Sequence, residues 1–269
     1  MAKVWLITGA SSGFGHALAH AAIRRGDTVV ATARNTDDLD DCAHGLHLDV
    51  TDTDSIRSAV SRAIEIHGRI DVVVNNAGHG LVGATEEVHD SALRDILDTN
   101  LFGVWRVVRE ILPHFRKQGS GHFVQMSSVG GVVGNPGHAA YAASKFALEG
   151  MSEALAGEVA GFGIGVTIVE PGPFRTDFAG RSLEMSDALP EYADTPGGIL
   201  RARFRDQDGR QPNDPALAAE AIIEAVNVEH PPLRLPLGPE AVARIRSKLR
   251  RQLEDIDTWE ALAIATSYR

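Results

Sequence analysis

Short apolar runs alternate along this chain with longer segments in which apolar residues recur at helical spacing. The apolar runs cover residues 4–7, 28–31, 46–48, 72–74, 122–126 and 166–169. They are rich in β-branched residues, which is typical of parallel strands that are covered on both faces of a sheet. Each run is therefore predicted to be a buried strand.

The segments between the runs carry helix start and stop signals. Two arginines precede a glycine at 24–26, as at the C-terminus of many helices. Asp52 is a candidate N-cap of a helix that ends near Gly68. Asp214 followed by Pro215 indicates another helix start. Because strands alternate with helices, we predict an α/β fold built from βαβ units, with a parallel sheet and right-handed crossovers.

One segment departs from this alternation. Residues 179–213 are mixed in charge and contain several prolines and glycines. Long irregular insertions in compact domains are often lids or binding loops. We therefore expect a substrate loop here, and the alternative is a surface excursion without a function.

Composition limits the classes of function. The chain has 269 residues, of which 43% are hydrophobic, and a formal net charge of −10. These values are ordinary for a globular protein with a sizeable core. The negative charge disfavours general attraction to nucleic acids or anionic membranes.

The cysteine content and the apolar segments bear on the compartment. Cys42 is the single cysteine, so an internal disulfide is excluded and a reducing compartment is indicated. Cys42 itself is interpreted as a small structural side chain. Neither a signal peptide nor an apolar stretch as long as a membrane span is visible. We therefore expect a cytoplasmic protein, with no metal site indicated.

A glycine-rich turn follows the first predicted strand. In the sequence 8–15, Gly9 allows a tight turn, Gly13 allows the backbone to approach a pyrophosphate, and Gly15 allows close helix–strand packing. Free amides at the helix start would face the anion. The spacing is GxxxGxG and not GxGxxG, so the general dinucleotide fingerprint is matched only in context.

The end of the second predicted strand bears on which dinucleotide is bound. Enzymes that bind NAD usually place an acid there to hold the ribose 2′-hydroxyl. This chain has Thr32, Ala33 and Arg34 instead. An arginine can form a bidentate contact with a 2′-phosphate, so NADP(H) is predicted over NAD(H). The alternative is that Arg34 is a solvated surface charge.

Tyr141 and Lys145 are the candidate acid/base pair. Four residues apart on a helix, they would project from the same face. A free tyrosine has a pKa of about 10, and a neighbouring cation favours its phenolate. We therefore expect Lys145 to lower the pKa of Tyr141.

Taken together, these motifs resemble the short-chain dehydrogenase/reductases, in the shorter branch of that family. The resemblance covers nearly the whole chain. It includes the TGxxxGxG loop at 8–15, the NNAG turn at 75–78, Ser128 at thirteen residues before Tyr141, and the Pro171-Gly172 pair. It also includes Asp49 as the acid that contacts the adenine, and Thr176 as the contact of the nicotinamide carboxamide.

The resemblance implies a Rossmann-like doubly wound sheet of about seven strands, for which 233–237 is the candidate last strand. It implies one domain over 1–269, with the substrate loop near 179–213 and a helical extension near 239–269. The catalytic residues would be Asn100, Ser128, Tyr141 and Lys145. The dinucleotide would be bound by Gly9, Ser11, Ser12, Gly13, Phe14, Gly15, Arg34, Asp49, Val50, Asn76, Ala77, Gly78, Tyr141, Lys145, Pro171, Gly172, Phe174 and Thr176.

Roles for the four catalytic candidates follow from the chemistry of hydride transfer to a carbonyl. Tyr141 would exchange the proton with the developing alkoxide, and Ser128 would orient the carbonyl oxygen. By the resemblance, Lys145 would also hold the nicotinamide ribose, and Asn100 would hold a water that links Lys145 to solvent. Asn100 could instead bridge backbone groups, and Ser127 is a less suitable neighbour of Ser128.

The predicted substrate walls are 79–81, 129–134, 137–138, 174 and the 179–213 segment. They are mainly small or apolar, which favours a hydrophobic ketone, aldehyde or secondary alcohol. His79 and His138 are interpreted as ordinary loop residues. By the resemblance, helices in 91–116 and 139–161 would form a homodimer or homotetramer.

Two other functions remain open at the level of sequence. A dinucleotide-sensing regulator could use the same fold without chemistry, but it would not need the four catalytic candidates. An isomerising or dehydrating enzyme would use the nucleotide transiently. The leading interpretation is an NADP(H)-dependent carbonyl reductase or alcohol dehydrogenase.

Overall fold

The computed structural model describes residues 2–40 and 43–268, so Cys42 lies outside the described residues. The described ranges form nine strands and eight α-helices. The strands are β1 (Val4–Thr8), β2 (Thr28–Ala33), β3 (His44–His47), β4 (Val72–Asn75), β5 (Gly80–Val82), β6 (Gly121–Met126), β7 (Ile164–Pro171), β8 (Leu183–Met185) and β9 (Arg234–Leu237). The helices are α1 (Gly13–Arg24), α2 (Thr53–His67), α3 (Asp90–Leu97), α4 (Val104–Gln118), α5 (Ala139–Val159), α6 (Pro196–Gln207), α7 (Pro215–Asn227) and α8 (Pro239–Ile264).

Seven strands form one parallel sheet in the order β3-β2-β1-β4-β6-β7-β9. The order runs outward in both directions from β1 and β4, which makes the sheet doubly wound. The predicted fold class, and the candidate last strand at 233–237, are confirmed. In such a sheet, ligands bind at the carboxyl ends of the strands where the order reverses.

The two faces of the sheet carry separate hydrophobic cores. Successive residues of β1 point to opposite faces, as the pleat requires. Leu6 packs with residues of α2, α4 and α5, whereas Trp5 and Ile7 pack with residues of α1 and α7. Helices therefore cover both faces, which explains why the strands read as continuous apolar runs.

The predicted helix ends are present where caps stabilise them. The Asp52 side chain accepts hydrogen bonds from the amides of Asp54 and Ser55, and α2 ends at Gly68 in the left-handed region with φ +75°. The Asp214 side chain caps α7 in the same way, with Pro215 as the first helical residue. These local signals set where α2 and α7 begin and where α2 ends.

Residues 179–213 are more ordered than the sequence indicates. The segment contains β8, a 3₁₀ turn over Pro190–Tyr192 and the helix α6. β8 pairs in parallel with β5, so that Gly80 lies beside Leu183 and Val82 beside Met185. This two-stranded sheet joins the segment to the body of the protein beside the carboxyl ends of the large sheet.

The last helix, α8, runs from Pro239 to Ile264. Ala241 and Ile245 are its buried residues, and both lie near its start. None of the helices in the described ranges combines the length and the apolar character that crossing a membrane requires.

Candidate active site

A cleft of about 890 Å³ lies at the carboxyl ends of the strands, where the sheet order reverses. Its walls come from the glycine loop after β1, the turns after β2 and β4, the start of α5, and the segment after β7. These are the elements that the sequence motifs occupy. The volume lies in the upper part of the range usual for small-molecule sites.

The glycine loop leaves little room for side chains. Gly9 has φ +64°, and a Cβ atom on it would lie 2.9 Å from the Cα of Ala77. A Cβ on Gly15 would lie 2.4 Å from the carbonyl oxygen of Gly9. Gly13 has φ +55°, which only glycine adopts readily, at the N-terminus of α1. Gly9 and Gly15 thus have no room for a side chain, whereas the approach of a pyrophosphate to Gly13 stays a prediction.

The turn after β4 holds this loop in place. The Asn76 side-chain amide donates to the carbonyl oxygens of Thr8 and Gly9, at 3.0 and 2.9 Å. The Thr8 hydroxyl accepts from the amides of Asn76 and Ala77, both at 3.0 Å. Asn76 thus acts on a ligand by fixing the loop, in addition to lining the cleft.

Arg34 lines the cleft at the end of β2, together with Asn35 and Asp38. Asp49, on the opposite side, accepts hydrogen bonds from the Thr51 amide and hydroxyl at 2.9 and 2.7 Å. Burial opposes its ionisation, but the two Thr51 hydrogen bonds and the charge of Arg34 hold the pKa of Asp49 below its ordinary value. Asp49 is therefore an anionic acceptor, and Arg34 places a cation at the same end of the cleft.

Tyr141 and Lys145 project from the first turns of α5 into the same end of the cleft as Ser128. The Lys145 Nζ atom donates to the Met126 carbonyl oxygen at 2.8 Å and lies 5.9 Å from the centroid of the Tyr141 ring. The Ser128 hydroxyl is hydrogen-bonded to the Tyr141 hydroxyl and accepts from the Gly130 amide at 3.0 Å. The structure thus brings these three predicted residues together.

The electrostatics of Tyr141 correct one expectation. Burial raises the pKa of Tyr141 to about 12, and the hydrogen bond with Ser128 opposes that rise only partly. Burial also lowers the pKa of Lys145 to about 8, against the opposing charge of Glu149. The expected lowering of the tyrosine pKa by Lys145 is therefore wrong for the protein's own groups, because burial is the largest influence and the Ser128 hydrogen bond is what opposes it. Tyr141 is held as a neutral phenol, the form that donates a proton.

Asn100 is fully buried behind the cleft, within a π-helical segment over Asp98–Gly103. Its Oδ1 atom accepts from the His79 amide at 3.0 Å, and its Nδ2 atom donates to the His79 carbonyl oxygen and the Ser144 hydroxyl at 2.9 and 3.1 Å. The backbone-bridging alternative thus describes what Asn100 does here. Its role in a water relay to Lys145 stays a prediction.

Sixteen of the eighteen predicted dinucleotide ligands line the cleft: Gly9, Ser11, Ser12, Gly13, Phe14, Arg34, Asp49, Val50, Asn76, Ala77, Gly78, Tyr141, Lys145, Pro171, Gly172 and Phe174. Gly15 packs behind the loop instead. Thr176 lies next to Gly13, where a Cβ on the glycine would be 3.5 Å from the Thr176 Cβ.

His138 and the segment that carries Phe204 were predicted to line the cleft, but His138 was interpreted as an ordinary loop residue and Phe178 was not predicted. His138 is 5% exposed, its ring lies 4.8 Å from that of Tyr141, and its Nε2 atom is buried without a hydrogen-bond partner among the described residues. Burial lowers the pKa of His138 to about 4, so the ring is neutral. Phe178 and Phe204 contact Tyr141 and His138 and complete an apolar wall. Phe178 and Phe204 lie far from α5 in the sequence, so no local pattern predicts their contacts with Tyr141 and His138.

The residues present fit a dinucleotide. The loop residues at the start of α1 line the cleft, and a side chain on Gly9 or Gly15 would collide with neighbouring backbone. Asp49 and Arg34 offer an acceptor and a cation at one end, and Tyr141 and Lys145 lie at the other. Glycine-rich helix starts of this kind are suited to phosphate groups.

Comparison with known proteins is consistent with this site. A sequence model described as short chain dehydrogenase matches residues 3–187. The chain is 38% identical to oxidoreductase BOA17 of Botryotinia fuckeliana, over 99% of this chain and 100% of that one. It is 39% identical to 3-ketodihydrosphingosine reductase of Bacteroides thetaiotaomicron, over 88% of each protein.

Solved structures share the fold. A short-chain dehydrogenase from Streptomyces avermitilis is 45% identical over 100% of both chains, with a TM-score of 0.93. A 3-ketoacyl-(acyl-carrier-protein) reductase from Brucella melitensis complexed with NADH is 26% identical over 87% of this chain and 96% of that one, with a TM-score of 0.74. An alcohol dehydrogenase from Thermococcus sibiricus complexed with 5-hydroxy-NADP is also 26% identical, over 88% and 96%, with a TM-score of 0.72. Such neighbours therefore bind either nucleotide.

Proposed function

This chain belongs to the short-chain dehydrogenases, a family of alcohol and carbonyl oxidoreductases, and on that basis we propose that it is an NADPH-dependent reductase of a hydrophobic ketone or aldehyde. The observation that carries the proposal is the grouping of Ser128, Tyr141 and Lys145 in the cleft beside the glycine loop. The reverse reaction, oxidation of the secondary alcohol, uses the same residues.

The preference for NADP(H) rests on Arg34. Its guanidinium lines the cleft at the end of β2, where an NAD enzyme usually carries an acid. A guanidinium suits a phosphate because its paired N–H groups match the oxygens and its charge persists at every physiological pH. Asp38 also lines this end of the cleft, but Arg34 is the group that we propose for the 2′-phosphate. Its removal therefore tests the preference for NADP(H).

When bound, the reduced nicotinamide supplies the hydride. Tyr141 donates the proton to the carbonyl oxygen, and its raised pKa keeps that proton in place at neutral pH. The Ser128 hydroxyl, hydrogen-bonded to the Tyr141 hydroxyl, orients the same oxygen. Lys145, held by the Met126 carbonyl, places a positive charge below the ring and stabilises the phenolate that proton donation leaves.

The substrate class follows from the wall opposite the glycine loop. Phe178, Leu183, Leu200 and Phe204 form its apolar part, and Asp177, Arg181, Glu184 and Arg203 also line it. Two of the similar proteins are named as reductases of ketones on acyl or sphingoid chains, which supports a ketone next to an apolar chain. His138 adds one neutral polar group to this wall, which suits a substrate with a second hydrogen-bonding group.

A dinucleotide-sensing regulator without chemistry is less well supported. Such a protein has no need of a buried tyrosine hydrogen-bonded to a serine in the cleft, with a lysine one helical turn away. An isomerising enzyme would keep these residues but would show no net consumption of NADPH. Turnover experiments therefore separate all three functions.

The test is loss of NADPH absorbance with a panel of long-chain ketones, aryl ketones, aldehydes and steroids, for the wild type and for Tyr141→Phe. We expect the wild type to consume NADPH with at least one ketone. Tyr141→Phe should lose about two to four orders of magnitude in kcat, the usual contribution of a general acid, while binding NADPH with unchanged affinity. A fully active Tyr141→Phe variant would contradict the mechanism.

A further inference from the structure

The helix α8 leaves the body of the protein soon after it begins. Ala241 and Ile245 pack beside Val129, and their exposed fractions are 0% and 7%. Every described residue from 249 to 268 is exposed. In proteins, most helical stability comes from packing of an apolar face and not from helix propensity. The outer part of α8 therefore needs a partner surface.

One face of α8 is apolar beyond the point where the helix leaves the protein. Val242, Ile245, Leu249, Leu253 and Ile256 follow one another at spacings of three and four residues, so they share a face. Leu249, Leu253 and Ile256 are 50%, 60% and 63% exposed. We call these three residues the outer stripe. The outer stripe continues the face that buries Ile245 against the protein's own core.

Charges divide α8 into two halves. After Glu240, which pairs with Arg244, the first half carries Arg244, Arg246, Lys248, Arg250 and Arg251, and the second half carries Glu254, Asp255, Asp257 and Glu260. Two such helices side by side in parallel would place like charges together. In the antiparallel orientation, the basic half of each lies beside the acidic half of the other. The acidic half also disfavours an anionic membrane as the partner.

We propose that α8 pairs in antiparallel orientation with α8 of a second copy of this chain. The charge match fixes the register, with Leu253 at the twofold axis and Leu249 of each copy facing Ile256 of the other. By helical spacing, Arg250 and Asp257 flank one edge of the outer stripe, and Lys248 and Asp255 flank the other. In an antiparallel pair, the same edge of the two helices lies in contact. Arg250 of one copy therefore lies beside Asp257 of the other, and Lys248 lies beside Asp255.

This surface is separate from the one that the family resemblance predicts between subunits. That other surface carries Phe102 and Trp105, in and after the π-helical segment, and Phe146 on α5. Loss of the α8 contact should therefore separate the copies that α8 joins, and should leave together any copies that are joined through α4 and α5. The two contacts are distinguishable because their residues do not overlap.

Charge reversal tests the pairing in the full-length enzyme. Arg250→Asp and Asp257→Arg should each lower the molar mass measured by light scattering by one association step at micromolar concentration. The double variant Arg250→Asp/Asp257→Arg should restore the wild-type mass, because the reversed charges match again. Arg62→Asp on α2, also exposed, is the control and should not change the mass. Unchanged mass in the single variants, or no restoration in the double variant, would overturn the proposal.

Cysteine cross-linking tests the orientation. Because Cys42 is the single cysteine, a Cys42→Ser background gives clean sites. Leu253→Cys should form a disulfide-linked dimer under mild oxidation. Leu249→Cys and Ile256→Cys should not cross-link alone but should cross-link when mixed. Cross-linking of each alone would indicate a parallel pair and overturn the proposal. So would α8-dependent sedimentation with phosphatidylserine vesicles in the absence of any cross-linked dimer.

Discussion

Glu87 and Arg201 form a buried ion pair across 114 positions of the chain, with 2.6 Å between the guanidinium and the carboxylate. Each residue is 7% exposed. The Glu87 carboxylate also accepts from the amides of Ala84 and Leu189. Burial opposes ionisation, but these donors and Arg201 hold the pKa of Glu87 below its ordinary value. The pair fastens the 179–213 segment over the cleft.

The first prediction concerns this fastening. Glu87→Ala leaves Arg201 buried without its carboxylate, a change that commonly costs about 3–5 kcal/mol. We expect the segment to open, so that limited proteolysis cuts it faster and the KM for the ketone rises. The neighbouring Glu86 is the matched control, because it binds the same segment through an exposed hydrogen bond from the Tyr192 hydroxyl.

Glu86→Ala should change neither the proteolysis rate nor KM appreciably, since water replaces an exposed partner readily. Equal effects of Glu86→Ala and Glu87→Ala would show that burial of the Glu87–Arg201 pair is not what holds the segment.

The second prediction concerns pH. Burial lowers the pKa of Lys145 to about 8, and the charge of Glu149 resists this. Lys145 is therefore protonated below that pH and loses its charge above it, so the kcat for ketone reduction should fall as pH rises through about 8. Glu149→Gln removes the supporting charge, lowers the pKa of Lys145 further, and should move the fall to lower pH.

Glu153→Gln is the control for the pH profile. Glu153 also binds Arg234, at 2.6 Å, but it is 62% exposed and lies farther from Lys145 on α5. Its substitution should leave the profile unchanged. A profile that does not move in Glu149→Gln would mean that Glu149 does not act on Lys145.

The third prediction concerns the nucleotide. Arg34→Ala should raise the KM for NADPH about ten- to a hundredfold, the loss typical of a hydrogen bond to a charged group, and should leave the KM for NADH nearly unchanged. Arg57→Ala removes the same charge from the exposed surface of α2 and should affect neither. Equal KM changes for both nucleotides in Arg34→Ala would contradict the 2′-phosphate contact.

The fourth prediction concerns the glycine loop. Gly15→Ala places a methyl group 2.4 Å from the Gly9 carbonyl oxygen and 2.6 Å from the Asn76 Nδ2 atom. The loop must shift, so NADPH affinity measured by fluorescence titration should fall more than tenfold. Gly157, also helical, has no atom within 4 Å of an added Cβ. Gly157→Ala should keep NADPH affinity and raise stability by about 1 kcal/mol, the difference in helix propensity.

The fifth prediction concerns the substrate wall. His138→Phe keeps the ring stacked on Tyr141 and removes only its nitrogens. For ketones with a second polar group, we expect KM to rise about five- to tenfold, the size of one hydrogen bond. For simple alkyl ketones KM should not rise. A uniform change for both substrate types would show that His138 only fills space.

Much of the fold follows from local sequence signals. Six apolar runs predict six strands of the large sheet, and the family resemblance supplies the seventh at 233–237. Two aspartate caps predict where α2 and α7 begin, and the glycine turn predicts the position of the phosphate loop. β5 and β8 were not predicted, because each has three residues and their pairing joins parts of the chain that lie far apart. The same holds for Glu87 and Arg201, whose sequence surroundings carry no motif.

The grouping of the candidate catalytic residues could be predicted because their spacing determines their geometry, whereas their pKa values could not. The four-residue interval places Lys145 under Tyr141, but the sequence does not state how deeply the pair is buried. Burial decides the direction of the tyrosine pKa. His138 shows the same limit, since the depth of its ring in the cleft depends on Phe204, which α6 brings to it.

β5 and β8 form a small sheet that is separate from the large one. We therefore expect the two halves of the cleft to differ in how many substitutions they tolerate. A side chain on Gly9 or Gly15 would collide with backbone, so we expect the nucleotide half of the cleft to tolerate few substitutions. The 179–213 segment is attached through the β5–β8 pairing, the Glu87–Arg201 ion pair and hydrogen bonds such as those of Leu189 and Tyr192. The other residues of this segment can be substituted while these contacts are kept. We therefore expect duplicated copies of such a gene to acquire new substrates without changes in the nucleotide site.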